Sequence, residues 1–398
     1  MPPSRDPLPL DALFTAEPHA SYAALRRVGP VHQAIDPDGT PLVLVTSYQA
    51  VRDAAMDPRL SVDKRHARAV AGHRHSMPAE LDAHLLNSDP PAHTRLRRLV
   101  SSALTPRRTE NLRAAVQRTT DRLLDEMAVK DHADVMADLA LPLSLSVICD
   151  LLGIPAHSRL DFRRWTDTLL SSEPGAPEHS RKAMREMHRF LAELIDSKRG
   201  ALADDLLSAL ITARDAGDRL SEDELIAMAF LLLFGGYHNS ASLLATTVLA
   251  LLTHPHHLAA VRTGELPIDA VAEEALRWNP PAMLAVRRFA TEDIRIGGTA
   301  IPAGERVWLS WASANRDPAR FRDPATFDPH RADVGAHLAF GHGPHYCPGA
   351  ALARMENNIA VASLIRRFPR LSLVGSGDAL EWVASLRSRS LRELPVSL

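Results

Sequence analysis

The sequence predicts one mainly α-helical domain with minor β-structure. Three observations carry this. From Pro91 to Ala250, apolar residues recur at helical spacing in stretches punctuated by prolines. After Pro280-Pro281 the character changes to short apolar runs around Gly-Gly and Pro-Ala-Gly-Glu turns. No linker or internal repeat interrupts the 398 residues, so 1–398 reads as a single domain.

Taken in order, Ser21 to Val28 is helical in pattern, and Leu42 to Val45 is a short strand after an Asp-Pro-Asp-Gly-Thr turn. Residues 61–87 lack periodicity and read as a long loop with one short helix, a kind of segment that is usually functional or mobile. Amphipathic stretches begin near Ala92, Arg107, Leu143, Arg159, Lys182 and Asp204, with Pro106, Pro142, Pro155 and segment 171–178 between them. Ser221 and Glu224 form a capping box that starts a long helix. Leu266 to Trp278 is helical and stops at Pro280-Pro281. Ile294 to Leu309 reads as short strands, 312–346 as irregular, Ala350 to Phe368 as helix, and the last 30 residues as strands and turns.

Composition excludes several classes. Hydrophobic residues are 45% and charged residues 24%, ordinary for a globular chain. Lys plus Arg is 46 against 48 Asp plus Glu, giving a net charge of −2 and no electrostatic pull toward nucleic acid or anionic membrane. The 19 histidines are mostly on polar stretches, and His254, His256 and His257 read as solvated surface groups. Two cysteines, Cys149 and Cys347, exclude a disulfide framework. The opening MPPSRDPLPL has no apolar h-region, so no secretory signal is expected. Leu225 to Leu252 is long enough to span a bilayer. Gly235, Gly236, His238, Asn239 and Ser240 break it at its centre, and no aromatic belt or basic flank marks its ends. A core helix of a cytoplasmic protein fits better.

The segment Phe340-Gly341-His342-Gly343-Pro344-His345-Tyr346-Cys347-Pro348-Gly349 is the most informative. A cysteine just before a helix meets unpaired N–H groups and the positive end of the dipole, which favour thiolate. Glycines let backbone N–H groups approach the sulfur and a flat ligand, and such bonds tune an iron-bound thiolate. Cys149, in the apolar run Val147 to Leu152, reads instead as a structural core cysteine.

The spacing of Phe340, Gly343, Cys347 and Gly349 resembles the F-x-x-G-x-x-x-C-x-G signature of cytochromes P-450, and FGHGPHYCPGAALAR looks like their soluble bacterial branch. Glu274-Ala275-Leu276-Arg277 is similar to the family's E-x-x-R helix, whose ends share a helical face. Arg331 in FDPHR resembles the third, ion-pairing member of that structural triad. Asp89 to Arg97 matches a D-P-P-x-H-x-x-x-R helix.

The resemblance implies a helix-rich prism around a buried haem b (iron protoporphyrin IX). Cys347 would ligate the iron, with Phe340 and Gly349 beside it. His93, Arg97, Arg288 and His345 would hold the two propionates, since buried carboxylates need cationic or hydrogen-bonding partners. Family members carry a small pair, then an acid and an alcohol, in the long helix over the iron. Here the run is Gly235-Gly236-Tyr237-His238-Asn239-Ser240. His238 stands for the acid and Asn239 for the alcohol, which the resemblance makes the proton-delivery pair. Histidine carries protons near neutral pH, while an amide relays them less readily than a hydroxyl. By family position the substrate pocket draws on Leu85, Leu86, Leu169, Leu170, Phe234, Gly235, Asn239, Leu284, Ala285, Val286 and Leu386.

The function implied is a monooxygenase that inserts one oxygen atom from O2 into a small organic substrate, a natural-product intermediate. Electrons would come from a ferredoxin and its reductase, because no flavin domain follows Leu398. Two other readings stand beside it. The altered acid–alcohol pair suits radical oxidative C–C or C–N coupling, for example of an aromatic heterocycle or cyclic dipeptide. A haem-based binder or sensor would have no turnover at all.

Overall fold

The computed structural model describes residues 7–68, 79–170, 176–215 and 220–398. Within them the chain is mostly helical, with three small sheets. It opens with β1 (Leu8–Pro9), α1 (Ala12–Ala16), α2 (Pro18–Val28), β2 (Val31–Ile35), β3 (Pro41–Val45), α3 (Tyr48–Met56), β4 (Leu60–Ser61) and α4 (Ala79–Asp82). The helical region follows as α5 (Ala92–Ala103), α6 (Pro106–Ala128), β5 (His132–Asp134), α7 (Leu141–Leu152), α8 (Arg159–Leu170), α9 (Ala176–Arg199) and α10 (Leu206–Asp215). Then come α11 (Glu222–Thr253), α12 (Pro255–Thr263), α13 (Ile268–Trp278), β6 (Arg288–Ala290), β7 (Ile294–Ile296), β8 (Thr299–Ile301), β9 (Arg306–Leu309) and α14 (Trp311–Ala314). The chain closes with α15 (Ala350–Arg367), β10 (Ser372–Leu373) and β11 (Pro395–Ser397).

Helix α11 is the axis. Ser221 Oγ accepts from the Glu224 N–H at 3.1 Å and the Glu224 carboxylate accepts from the Ser221 N–H at 2.9 Å, so the capping box forms as expected. Arg95 on α5 pairs with Glu224, and Arg199 on α9 with Glu222, pinning that end. The rod of 32 residues, roughly 48 Å at 1.5 Å per residue, runs against α7, α13 and α15. Val135–Leu152 and α11 both contain windows long and apolar enough to cross a membrane, but 67% and 56% of those windows are buried inside the protein. Gly236 explains how closely α7 approaches: a Cβ there would lie 2.9 Å from Ile148 Cδ1.

The main sheet has the order β1-β2-β3-β9-β6-β4. Strands β2 and β3 pair antiparallel with Val31 opposite Val45, and β3 and β9 pair parallel with Val43 opposite Val307. Strand β6, which carries Arg288, pairs antiparallel with β9, so the sheet fixes where that cation stands.

Several expectations shift. His257 is 7% exposed rather than solvated, and burial lowers its pKa. His254 is half-buried with Nδ1 2.8 Å from the Ala250 carbonyl, and only His256 of the three is exposed. Helix α9 starts at Ala176, six residues before the expected Lys182. A π-helix over Val135–Ala140 runs into α7, where the sequence suggested a start near Leu143. Segment 61–87 holds α4 and 3-10 turns at Lys64–His66 and Leu85–Asn87. Residues 69–78 and 171–175 lie outside the described residues.

Glu356 on α15 is 3% exposed, and the Ser144 hydroxyl on α7 donates to it. Burial pushes its carboxyl up to about 7, against 4.5 in the unfolded chain. The folded state therefore holds a proton that the unfolded state releases between those values. Stability is full below about 4.5, falls as pH rises to about 7 and stays low above it. The penalty is on the order of 3 kcal/mol at 1.36 kcal/mol per pKa unit. Urea midpoints at pH 5 and pH 8 are expected to differ less in Glu356→Gln than in the parent. An equal difference in both proteins would remove Glu356 as its source.

Candidate functional site

The cysteine loop meets α15 at Gly349, which caps that helix. Gly341 and Gly343 hold φ of 79° and 73°, a region that favours glycine. A Cβ at Gly343 would lie 2.4 Å from Met56 Sδ, so the loop presses on α3. The Cys347 N–H donates to the Phe340 carbonyl at 2.8 Å, and the Tyr346 N–H to that of Gly343 at 3.0 Å, closing the loop. Burial pushes the Cys347 thiol up, while the Gly349 N–H, Arg97 and Arg354 pull it down. Cys347 is half-buried, whereas Cys149 is fully buried with its thiol pushed up by burial to about 12. Only Cys347 offers its sulfur to a ligand.

Phe340 is fixed by the Arg354 guanidinium, 4.5 Å from its ring centroid. Arg354 is held by Glu273 through bonds of 2.5 and 2.9 Å, and His337 Nε2 lies 3.1 Å from the same carboxylate. Burial pushes Glu273 up, but these partners outweigh it and hold the carboxyl at about 2. The expected triad is also formed. Arg277 meets Glu274 at 2.6 and 2.7 Å with both side chains fully buried, and Arg331 Nε lies 3.3 Å from Glu274.

His93, Arg97, Arg288 and His345 converge beside this loop. The His93 and His345 rings are 4.4 Å apart. Arg97, one turn beyond His93 on α5, donates to the Tyr346 carbonyl. His93 Nε2, His345 Nδ1 and Arg288 Nε are buried without a partner. Burial pushes His345 down to about 3, aided by Arg288 and His93, and Arg288 down to about 10. The anion nearest them is Asp89, which is engaged by the Ser61 hydroxyl and the Val62 N–H. Buried donors left without partners are costly. Two propionates would satisfy them, and the sulfur beside them suits iron, so the donor set fits haem. Arg288→Ala is expected to weaken haem retention about tenfold, a typical loss for one charge-assisted hydrogen bond. Transfer of haem to a scavenging protein measures this, and an unchanged rate would sink the assignment.

On α11, Gly235 is exposed and a Cβ there would meet nothing within 4 Å, so open space faces it. Asn239 is exposed too, and its Nδ2 donates to the Gly235 carbonyl at 3.1 Å. That bond leaves the amide oxygen as a free acceptor. His238 turns to α8, with Nε2 3.5 Å from Asp167 Oδ1 and its ring 4.4 Å from that of Tyr237. Tyr237 Oη and Arg163 Nε also lie 3.5 Å from Asp167. Sequence reasoning missed Asp167, because an i,i+4 Arg–Asp pair on a surface helix carries no signal of its own.

The expected pocket residues divide. Leu85 belongs to the main core, with its N–H 3.3 Å from Met228 Sδ, and half-buried Phe234 packs against that core, stacked on Phe230 at 5.7 Å. Leu169 packs against the same core, and Leu86 is half-buried. Ala285 joins a second cluster under the sheet. Leu284 and Leu386 pack instead with Leu10, Tyr22 and Trp308 in a third. Val286 is buried. The Leu170 side chain lies outside the described residues.

The family model "Cytochrome P450" matches residues 10–379. The chain is 44% identical to cytochrome P450 monooxygenase PikC of Streptomyces venezuelae, over 99% of this chain and 94% of that one. It is 39% identical to 6-deoxyerythronolide B hydroxylase of Saccharopolyspora erythraea, over 97% of each. The solved structure of the tirandamycin C-bound P450 monooxygenase TamI superposes with a TM-score of 0.91 at 42% identity, covering 98% of this chain and all of that one.

Proposed function

Because the chain belongs to the cytochrome P450 family, we propose that residues 1–398 form one catalytic unit that hydroxylates a natural-product intermediate in the cytoplasm, fed by a ferredoxin and its reductase. It is a monooxygenase that binds haem b through a cysteine thiolate. The balance is R–H + O2 + 2e⁻ + 2H⁺ → R–OH + H2O. The observation that carries the reading is the set of unpartnered donors on His93, Arg288 and His345 beside Cys347.

The haem iron supplies the binding and reductive activation of dioxygen. Cys347 would hold it, and the Gly349 N–H would temper the charge on sulfur. Arg97, Arg288, His93 and His345 anchor its carboxylates. Gly235 would leave room for the substrate on the α11 side. Asp167 Oδ1 lies 3.5 Å from His238 Nε2, so a proton taken at Nε2 from the α8 side would leave from Nδ1 toward water beside Asn239. The Asn239 amide oxygen accepts from that water while Nδ2 stays on the Gly235 carbonyl. Leu85, Leu86, Leu169, Phe234 and Val286 form the apolar wall against the substrate. Leu284, Ala285 and Leu386 support it from the clusters behind.

The test is reconstitution with a surrogate ferredoxin, its reductase and NAD(P)H, reading product mass. A gain of one oxygen is expected. Loss of two hydrogens without oxygen would replace hydroxylation by coupling, and ligand-dependent spectra without NAD(P)H consumption would leave a sensor. Asp167 faces position 238, so His238→Glu sets two carboxylates together. Coupling of NAD(P)H to product is expected to fall on the order of a hundredfold, the low end of what a general acid–base group contributes, and to recover when Asp167→Lys is added. Unchanged coupling in both variants would place His238 outside proton delivery.

A further inference from the structure

Arg354 is a cation held in a fixed place beside the cysteine loop. It lies on α15, the helix that starts at Ala350 where the loop ends. Its Nε and Nη2 donate to the Glu273 carboxylate on α13 at 2.5 and 2.9 Å, a two-pronged grip. His337 completes the arrangement. The Ala339 N–H donates to His337 Nδ1 at 3.2 Å, so Nε2 is the nitrogen that carries the hydrogen, and it lies 3.1 Å from Glu273 Oε2. Three bonds from two elements thus fix one carboxylate, and the carboxylate fixes the guanidinium.

What the guanidinium covers is part of the loop. Its carbon stands 4.5 Å from the Phe340 ring centroid. The His337 ring is 6.2 Å and the Tyr346 ring 6.3 Å from the same ring, so the phenyl is enclosed on several sides. The Phe340 carbonyl in turn accepts from the Cys347 N–H at 2.8 Å. Contacts therefore run from Glu273 through Arg354 and Phe340 to Cys347 without a gap.

The pair is also oriented. Arg97 and Arg354 are the charged side chains that act on the Cys347 sulfur, and Glu273 is not among them. The positive end of the pair faces the sulfur and the negative end faces away. Arg97 faces a propionate on the reading above, which would offset its charge. Arg354 has its counter-ion on the far side. Both members are partly exposed, so solvent weakens their field without erasing it. A positive charge near a thiolate draws electron density from it, and it favours any step that adds a negative charge to the metal.

We propose, resting on the monooxygenase reading above, that Arg354 is a positioning residue that raises the reduction potential of iron bound to Cys347, with Glu273 and His337 holding its charge against the Phe340 ring. The step concerned is the uptake of one electron from the ferredoxin of that reading, which turns ferric into ferrous iron. The sulfur stays bound and no proton moves.

The experiment measures the midpoint potential of the haem-loaded parent and variants by anaerobic spectroelectrochemistry, with haem content and the ferrous carbonyl band recorded for each. Arg354→Met keeps an aliphatic cover on Phe340 and deletes the charge. Its ratio of ferrous to ferric iron at a fixed potential is expected to fall about tenfold, a midpoint lower by about 59 mV for one electron. A unit charge has an effect of that size at roughly 12 Å in a medium of effective dielectric about 20. Arg354→Lys keeps the charge and should retain most of the parent's potential. Glu273→Gln decides between charge and architecture, because it breaks the same pair but leaves the cation. A tuning role puts its midpoint at or above the parent's, whereas a merely structural role makes it fall together with that of Arg354→Met. That joint fall overturns the proposal, as does an Arg354→Met midpoint equal to the parent's or an Arg354→Lys midpoint as low as that of Arg354→Met. Arg354→Gln replaces Arg354→Met if the latter does not load with haem, and the same outcomes apply. A parent without the red-shifted ferrous carbonyl band removes the monooxygenase reading and this proposal with it. A parent with that band and an unmoved Arg354→Met midpoint removes this proposal alone.

Discussion

Cys347→Ser is expected to abolish the red-shifted Soret band of the ferrous carbonyl complex and to reduce oxygenation to background. The band requires a thiolate donor to the iron, and Cys347 is the one cysteine whose sulfur is not sealed in the core. A serine hydroxyl is a poorer electron donor and stays protonated, so the iron loses the ligand that favours O–O cleavage. The loop should survive, because the bond from the 347 N–H to the Phe340 carbonyl is a backbone contact. Cys149→Ser is the control, since its thiol sits fully buried among apolar side chains and should leave the band in place. A red-shifted band retained by Cys347→Ser would mean that another residue ligates the iron.

The second large effect is expected at Arg277. Its guanidinium meets Glu274 through two bonds and donates to the carbonyls of Asn315, Pro324 and Thr326, all without exposure to solvent on either charged side chain. Arg277→Ala leaves Glu274 with Arg331 at 3.3 Å as its remaining cation and strands the carbonyls of Asn315 and Pro324, while that of Thr326 keeps Arg331 Nη2 at 3.2 Å. Breaking a buried pair on one side typically costs ~3–5 kcal/mol. Asn315 also holds the approach to the cysteine loop, since its Oδ1 accepts from the Leu338 N–H at 2.6 Å, so haem occupancy should fall along with the thermal midpoint. Arg277→Lys should not rescue it, because an ammonium cannot span the carboxylate and three carbonyls at once. A variant with the parent's midpoint and haem content would show the triad to be dispensable.

The sequence made the chemistry-bearing loops legible because fixed spacing defines them. Phe340, Gly343, Cys347 and Gly349 read directly, and the positive φ at Gly341 and Gly343 gives the physical reason for glycine there. The capping box at Ser221 read equally well, since both its bonds are local. What did not read was direction. Period-two alternation says that Leu386 and Arg387 face opposite ways, not which of them faces the core. Family position put Leu386 in the pocket, and in the structure it is half-buried against the cluster of Leu10, Tyr22 and Trp308. His257 looked polar in its His-rich stretch, yet tertiary contacts with Phe327 and His330 bury it. The π-helix before α7 was missed because its spacing fits neither the 3.6 nor the 2.0 period used to search for elements.

The two adjacent glycines of the distal helix carry a lesson for anyone diversifying this protein in the laboratory. Codon 235 faces emptiness and codon 236 faces Ile148 at 2.9 Å. A library that varies both together would confound two unrelated outcomes, because alanine or serine at 235 reshapes the chamber while the same residue at 236 wedges two long helices apart. Randomising 235 alone, with 236 fixed and Ile148→Val held in reserve as a compensating partner, separates selectivity from collapse and turns one neighbouring pair into an adjustable stop beside a hinge pin.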